Sequence, residues 1–494
     1  MAIIPSPLLH TATYSILSTD AYKIAMALAG FPLRVETFEY VHRQGGPHYM
    51  PFDPSEVVKK LLPALDGAID EHVRWLTSKG YPVGPSYITA LEGSITVEGI
   101  REGTWFFDRE PAFTVTGPSA LVSWLEPLVL RLNYPIQVAT VTVKAKEEFG
   151  RDEGGLHRAL DERIGLVTCL EQLEIVRWVM DKLEVDWAPG IDETFQDAVR
   201  EKADDLIRVV EDPNRLFEVG MRAATCEEHH RLVLTALREA GIQKTSNCAL
   251  AHELGMTPVG TMGHEHVQRF GSDERAFRAM RDRLAGPSSF LLDTFSTIQS
   301  GIPTALKLLA EEDRGDGMRY DSGDKVTQYL VACSQAKGMK LNPLHTLEDS
   351  FNLVKTVEFE RLREFTGVRP EKQIYGYGGW FNNHGLLTRD RVSAVFKLSE
   401  TAGKAVMKFG DEPGAGKESI PGKPVGWRLQ LGSHVAGPIV MIGQRGETPP
   451  AGWRTRADSR RLGVDEAVRY AAHGICYSPE TQRLVTKLYA ERGF

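Results

Sequence analysis

The sequence predicts an α/β protein: an irregular β/α barrel with an N-terminal α+β domain that the C-terminal tail rejoins. Three observations predict it. From Leu216 onward, short apolar or β-rich runs alternate with amphipathic segments of helical length. Each run ends in glycine or polar residues, so reactive side chains collect at one end of the strands, as they do in β/α barrels. Residues 1–150 read differently, as β-rich stretches broken by turns.

In chain order, "RVETFEYVHR", "YITALEGSITVEGI" and "GTWFFDREPAFTVTGP" give residues 1–150 an antiparallel α+β character. Residues 151–190 are a helical connection over "LHRALDERIGLVTCLEQLEIVRWVMDKL". The barrel is expected over 191–408. There "LFEVG" leads to "HHRLVLTALREAG", stopped by Gly241. "PVGTMG" opens a further unit. "SSFLLDT" leads to "GIPTALKLLAEED", with Pro303 in the first turn, where a missing N–H costs little. "GMRYDSGD" leads to "KVTQYLVACSQAKG", and "LHTLED" to "FNLVKTVEFERLREFTG". "KQIYGYGG" and the strand-like "SAVFKL" follow. At least six such units favour a barrel over an open sheet. Residues 409–494 form a C-terminal extension, rich in Pro and Gly before a charged helix at "GVDEAVRYAAHG", and are expected to pack on the N-terminal domain.

Composition excludes several functions. The net charge of −8 offers no bulk attraction for nucleic acid or an anionic membrane. No apolar run reaches the roughly 18 residues a membrane helix needs, and "MAIIPSPLLHTATY" lacks the pattern of a signal peptide. Five cysteines, none in a CxxC pair, point to a reducing, cytoplasmic setting.

Three motifs carry chemistry. In "GMRYDSGDK", Arg319 and Asp321 lie two apart at a strand end and so face the same side. A guanidinium grips phosphate or carboxylate bidentately. Asp321 and Asp324 suit a divalent cation or ribose hydroxyls, and a structural Arg–Asp pair is the bland alternative. In "IYGYGGWF", Gly376, Gly378 and Gly379 let the backbone approach a phosphate, although no Walker GK[ST] follows. In "GTMGHEH", His264 and His266 diverge on a helix, which does not fit HExxH zinc binding. A metal ligand, a surface-loop histidine and a reactive histidine all stay open there. The shared rim with Arg319 and Asp321 favours the reactive one, since neutral imidazole is a good nucleophile toward phosphorus.

These stretches, with "LSTDAYKIAMA", "FEVGMRAA", "KTSNCALAHELGMTPVGTMGHE", "FLLDTF", "LEDSFNLVKTVEF" and "AVFKLSETAGKAVMKFGDEPGAGKESIPGK", occur in an order and spacing that resembles the nicotinate phosphoribosyltransferases. The resemblance implies a type II phosphoribosyltransferase, a cytoplasmic homodimer with active sites shared at the subunit interface. The implied reaction joins nicotinate to phosphoribosyl pyrophosphate and releases pyrophosphate, with Mg²⁺ as cofactor and ATP hydrolysis coupled through a phosphohistidine. It implies His264 as the phosphorylated residue, with Arg319 and Asp321 as its catalytic companions and Asp321 as a Mg²⁺ ligand. It places Tyr22, reaching in from the partner subunit, with Arg222, Ser246, Thr261 and Arg319 around nicotinate. Asp293, Asp349, Gly378 and Gly379 fall to phosphoribosyl pyrophosphate. Ala223, Glu348 and Gly379 depart from the family pattern. Nicotinamide-using relatives carry a carboxylate where this chain has Ser246, so a neutral serine suits the acid. The rival readings are a nicotinamide phosphoribosyltransferase and a catalytically degenerate binding protein of the same fold.

Overall fold

The computed structural model describes residues 14–65, 68–284, 286–409, 418–430, 437–456, 459 and 461–492. The N-terminal region holds five strands, β1 (Val35–His42), β2 (His48–Met50), β3 (Thr96–Gly99), β4 (Thr104–Phe106) and β5 (Pro111–Pro118), among several helices. Aromatic and β-branched residues suit β1 and β5 to a pleated, buried sheet. They pair antiparallel, with Tyr40 opposite Phe113. "YITAL", read from sequence as part of a β-rich stretch, is instead a helix, Pro85–Leu91. Its buried residues Tyr87, Ala90 and Leu91 are spaced three and four apart, which a helix buries on one face.

The barrel is a curled parallel sheet of seven strands: β6 (Leu216–Glu218), β7 (Lys244–Thr245), β8 (Thr257–Pro258), β9 (Ser289–Leu291), β10 (Gly317–Tyr320), β11 (Leu344–Leu347) and β12 (Gln373–Tyr377). Their hydrogen-bonded order is β8-β7-β6-β12-β11-β10-β9. The last strand therefore pairs with the first, and the ring is open at one seam, between β8 and β9. Side chains span that seam: Thr261 Oγ1 donates to Ser289 O at 2.9 Å, and Leu291 N donates to Met262 Sδ at 3.5 Å.

The strand read from "SAVFKL" does not belong to the barrel segment. It is β13 (Ala394–Thr401), which pairs antiparallel with β1, Phe396 opposite Tyr40. The pairing of β12 with β6 leaves no free edge there, so the chain returns to the N-terminal sheet. That sheet runs β14-β13-β1-β5-β3, with β14 at Lys404–Ala405. A four-stranded C-terminal sheet follows: β15 (Pro424–Leu429), β16 (Val440–Gln444), β17 (Trp453–Thr455) and β18 (Ile475–Tyr477). It leans on the N-terminal region. Arg428 and Arg456 both pair with buried Glu110, and Phe107 packs among Ile420, Ile439, Val440 and Ile442.

Candidate active site

A cavity of about 730 Å³ opens between the carboxyl rim of the barrel and the antiparallel sheet. His264 lines it. The extended Gly263 ends the β8 loop, and His264 is the first residue of the helix His264–Phe270. Its Nδ1 lies 3.1 Å from Thr294 Oγ1. Its Nε2 lies 2.8 Å from Lys408 Nζ and 3.2 Å from Asp321 Oδ2. An ammonium can only donate, so Nε2 accepts from Lys408 and Nδ1 carries the proton toward Thr294. Burial, then Lys408, lower the imidazole pKa against the pull of Asp293 and Asp321, so the ring is neutral near pH 7. His266 faces away, its Nε2 at 2.9 Å from Ala276 O, as two residues diverging on a helix require.

Arg319 and Asp321 do share a side. Arg319 Nη2 donates to Asp321 Oδ1 at 3.1 Å and reaches Glu348 Oε2 at 3.1 Å, and Nη1 donates to Met262 O at 2.7 Å. Burial works against the charge of Asp321, but the cations Arg319 and Lys408 beside it hold its carboxyl well below the usual range. Asp293 is buried beside them, its Oδ2 3.8 Å from His264 Nε2. Asp324 is not part of this group. It caps the helix Lys325–Gly338, accepting from Thr327 N at 3.2 Å and from Thr327 Oγ1 at 2.6 Å.

The other end of the cavity begins at the helix Ala21–Ala29. Ala21 N donates to Ser246 O at 2.7 Å, tying this helix to the barrel of its own chain. Tyr22 of the same chain therefore lines the cavity. Its ring packs so closely on Gly263 that a Cβ there would lie 3.3 Å from Tyr22 Cε2. Tyr22 Oη donates to Glu126 at 3.2 Å. Lys23 pairs with Glu126 and Glu265, and Arg269 joins Glu265 to Glu36. Ser246 Oγ donates to Asp20 Oδ1 at 2.5 Å. Arg222 lines this end too, its charge favoured despite burial by Tyr22, Glu126, Asp321 and Asp20.

The remaining expected residues are less central. Thr261 lines the cavity with its hydroxyl already bound across the seam. Asp349 stands at the mouth near Lys325, at 3.7 Å. Gly378 and Gly379 lie at the end of β12 outside the lining, and a Cβ on Gly379 would come within 2.6 Å of Asp390, which does line it. Sequence reasoning missed the cations on the sheet side: Arg43 after β1, Arg389, Lys397 on β13 and Lys408. Burial lowers the Lys397 pKa to about 7, with Lys408, Arg222 and Arg43 adding to the shift against Glu126. A strand lysine whose neighbours alternate with apolar inward residues in "AVFKLSE" was the signal available.

A curled parallel barrel whose rim faces an antiparallel sheet is the fold of a class of solved phosphoribosyltransferases. A Saccharomyces cerevisiae structure described as a nicotinate phosphoribosyltransferase matches with TM-score 0.58 at 19% identity, over 82% of this chain and 95% of that one. Nicotinate phosphoribosyltransferase from Porphyromonas gingivalis matches with TM-score 0.54 at 19% identity, over 83% and 96%. More narrowly, the chain resembles the nicotinate phosphoribosyltransferases in sequence. It is 23% identical to that of Methanosarcina acetivorans over 81% of this chain and 93% of the relative. It is 31% identical to that of Acinetobacter baylyi over 34% of this chain and 42% of the relative, less than half of that protein's length. No protein-family model matches the chain.

Proposed function

We propose that the protein transfers the phosphoribosyl group of phosphoribosyl pyrophosphate to nicotinate, giving nicotinate mononucleotide and pyrophosphate, with ATP hydrolysis coupled through His264. The observation that carries this reading is the position of a neutral His264 between the Asp321–Arg319 pair and Lys408, in the cavity that also holds Tyr22, Arg222 and Ser246. Tyr22 offers a face for the pyridine ring, and Arg222 a partner for its carboxylate. The ring nitrogen attacks C1 of the ribose as the bond to pyrophosphate breaks, through an oxocarbenium-like C1. No proton has to be removed, so the site needs charge placement more than a general base. Lys397, Lys408, Arg43 and Arg389 provide that charge for the departing pyrophosphate.

For ATP, Nε2 of His264 attacks the terminal phosphorus, and the bond to ADP breaks as the phosphoramidate forms. Lys408 sits where it offsets the added negative charge. Water later cleaves the phosphoramidate and returns phosphate and a neutral imidazole. The carboxylates of Asp293 and Asp321 suit a hard cation, and Asp293 Oδ1 is buried without a partner among the described residues. These two side chains would hold Mg²⁺, which when bound supplies positive charge to the phosphate oxygens.

The test is an assay of purified protein with phosphoribosyl pyrophosphate, Mg²⁺, and nicotinate or nicotinamide, with and without ATP. At pH 6, nicotinate is expected to show at least tenfold the kcat/KM of nicotinamide, about 1.4 kcal/mol in transition-state stabilisation. Equal efficiency or an amide preference at that pH would overturn the assignment. Saturable binding of phosphoribosyl pyrophosphate without any product would instead support a degenerate binding protein.

A further inference from the structure

The serine that makes the base site look neutral in sequence is not alone in the fold. Asp20 Oδ1 lies 2.5 Å from Ser246 Oγ, and both line the cavity beside Tyr22 and Arg222. Asp20 itself is 1% exposed. The pair is fixed from two directions: Ala21 N binds Ser246 O, and Asp20 bridges Asn247. Their protonation then has a simple consequence. While Asp20 is ionised it can only accept, so the Ser246 hydroxyl proton is committed to it. The Ser246 oxygen then offers only lone pairs to the cavity. Two acceptors side by side match the N–H groups of a carboxamide and repel a carboxylate. If Asp20 is protonated, its own proton can serve the bond to Ser246. The Ser246 hydroxyl is then free to donate to a ligand carboxylate.

We propose that Asp20, acting through Ser246, distinguishes the acid from the amide: nicotinate binds together with a proton from solvent that settles on Asp20, whereas nicotinamide binds with Asp20 ionised. This rests on the reading of Tyr22, Arg222 and Ser246 as the base site. The groups around Asp20 allow it. Arg222, after β6, and the Ser246 hydroxyl favour its ionised form, while burial, Glu126 and Glu218 oppose it. Burial dominates and raises the carboxyl to about 6, within reach of protonation near neutral pH. A ligand carboxylate arriving beside it competes for Arg222 and raises it further, as any like charge does.

The experiment measures kcat/KM for nicotinate and for nicotinamide from pH 5.5 to 8.5 and follows their ratio. Ionisations that serve both substrates, such as His264 and Lys397, cancel in that ratio. One coupled proton makes the ratio fall by roughly tenfold per pH unit once Asp20 is ionised in the free protein. We expect at least a tenfold fall between pH 6 and pH 8, and a ratio flat within threefold for Asp20→Asn. Asparagine keeps the side-chain shape and an acceptor for Ser246. Calorimetric titration of wild type with nicotinate in HEPES and in Tris at pH 7.5, buffers with different ionisation enthalpies, should show uptake of close to one proton. This second measurement stands even if the variant does not fold. A flat wild-type ratio, or no proton uptake on nicotinate binding, overturns the inference while leaving the proposed reaction intact. Failure to use nicotinate at any pH overturns the proposed reaction instead.

Discussion

The two walls of the cavity are built from different chemistry and by different means. The barrel rim brings His264, Asp293, Asp321 and Glu348 together with Arg319 and Arg222. The facing wall brings Arg43, Arg389, Lys397 and Lys408. An acidic, histidine-bearing rim opposite a cationic wall is suited to a substrate with a polyphosphate on one side and a hydroxyl-rich sugar on the other. The rim residues come from short strand–loop units, where the period-two geometry of a strand fixes which neighbours share a side. The cationic wall is collected from positions as far apart as Arg43 and Lys408, joined only when β13 pairs with β1.

That difference also explains what could be read in the sequence. Arg319 and Asp321 announce themselves by their spacing, and His264 by its glycine-flanked turn. The repeated strand–helix pattern is enough to expect a barrel. Lys397 cannot be placed without knowing that its strand leaves the barrel, and the two-residue β7 is too short for any periodicity to mark. Asp20 carries no signal of its own in the sequence until the fold sets it against Ser246, 226 residues away. Long-range pairing is the part of the site that local patterns do not encode.

The strongest test of the contrast removes a rim residue that the facing wall also touches. His264 meets Asp321 on the rim and Lys408 from the facing side. His264→Asn keeps a hydrogen-bonding edge but cannot carry a phosphoryl group. It is expected to abolish ATP hydrolysis and ATP stimulation, by at least a hundredfold, while some ATP-independent nucleotide formation persists. Incubation with γ-labelled ATP should give acid-labile, base-stable label on wild type and none on the variant. His266→Asn should retain the label. Label on His264→Asn would assign the phosphoryl acceptor to another residue.

A middling effect is expected on the cationic wall alone. Lys397 is half-buried with its pKa lowered to about 7, chiefly by burial. In the unfolded chain it holds its proton up to the ordinary lysine range. Between that range and pH 7 the unfolded state therefore binds more protons, and the folded protein loses stability as pH falls. A bound polyphosphate reverses the balance by favouring the charged form. Lys397→Gln should thus weaken pyrophosphate binding about tenfold at pH 6.5, in line with the loss of one partly screened charge pair. The loss should shrink toward pH 8.5. The same variant should melt higher than wild type at pH 6.5 in the absence of ligand. A pyrophosphate affinity unchanged at pH 6.5 would remove Lys397 from the phosphate wall.

The smallest expected effect separates two aspartates in one motif. Asp321 and Asp324 lie three residues apart in "RYDSGDK", and the sequence offers both as cation or ribose ligands. The fold divides them. Asp321 is held against His264 and Arg319, whereas Asp324 turns outward and closes the first turn of the helix Lys325–Gly338. An aspartate that accepts from the backbone N–H of the third helical residue satisfies one donor the helix cannot. Asp324→Ala should therefore cost about 1 kcal/mol of stability, and Asp324→Ser should recover most of it, because serine also caps. Neither substitution should change kcat/KM for phosphoribosyl pyrophosphate by more than twofold, or alter its dependence on Mg²⁺. The measurements are chemical denaturation midpoints and steady-state kinetics on the same preparations. If Asp324→Ala left stability unchanged and weakened the Mg²⁺ dependence severalfold, Asp324 would be a ligand on the rim, and the acidic wall would extend beyond Asp293 and Asp321 to the second carboxylate of the motif.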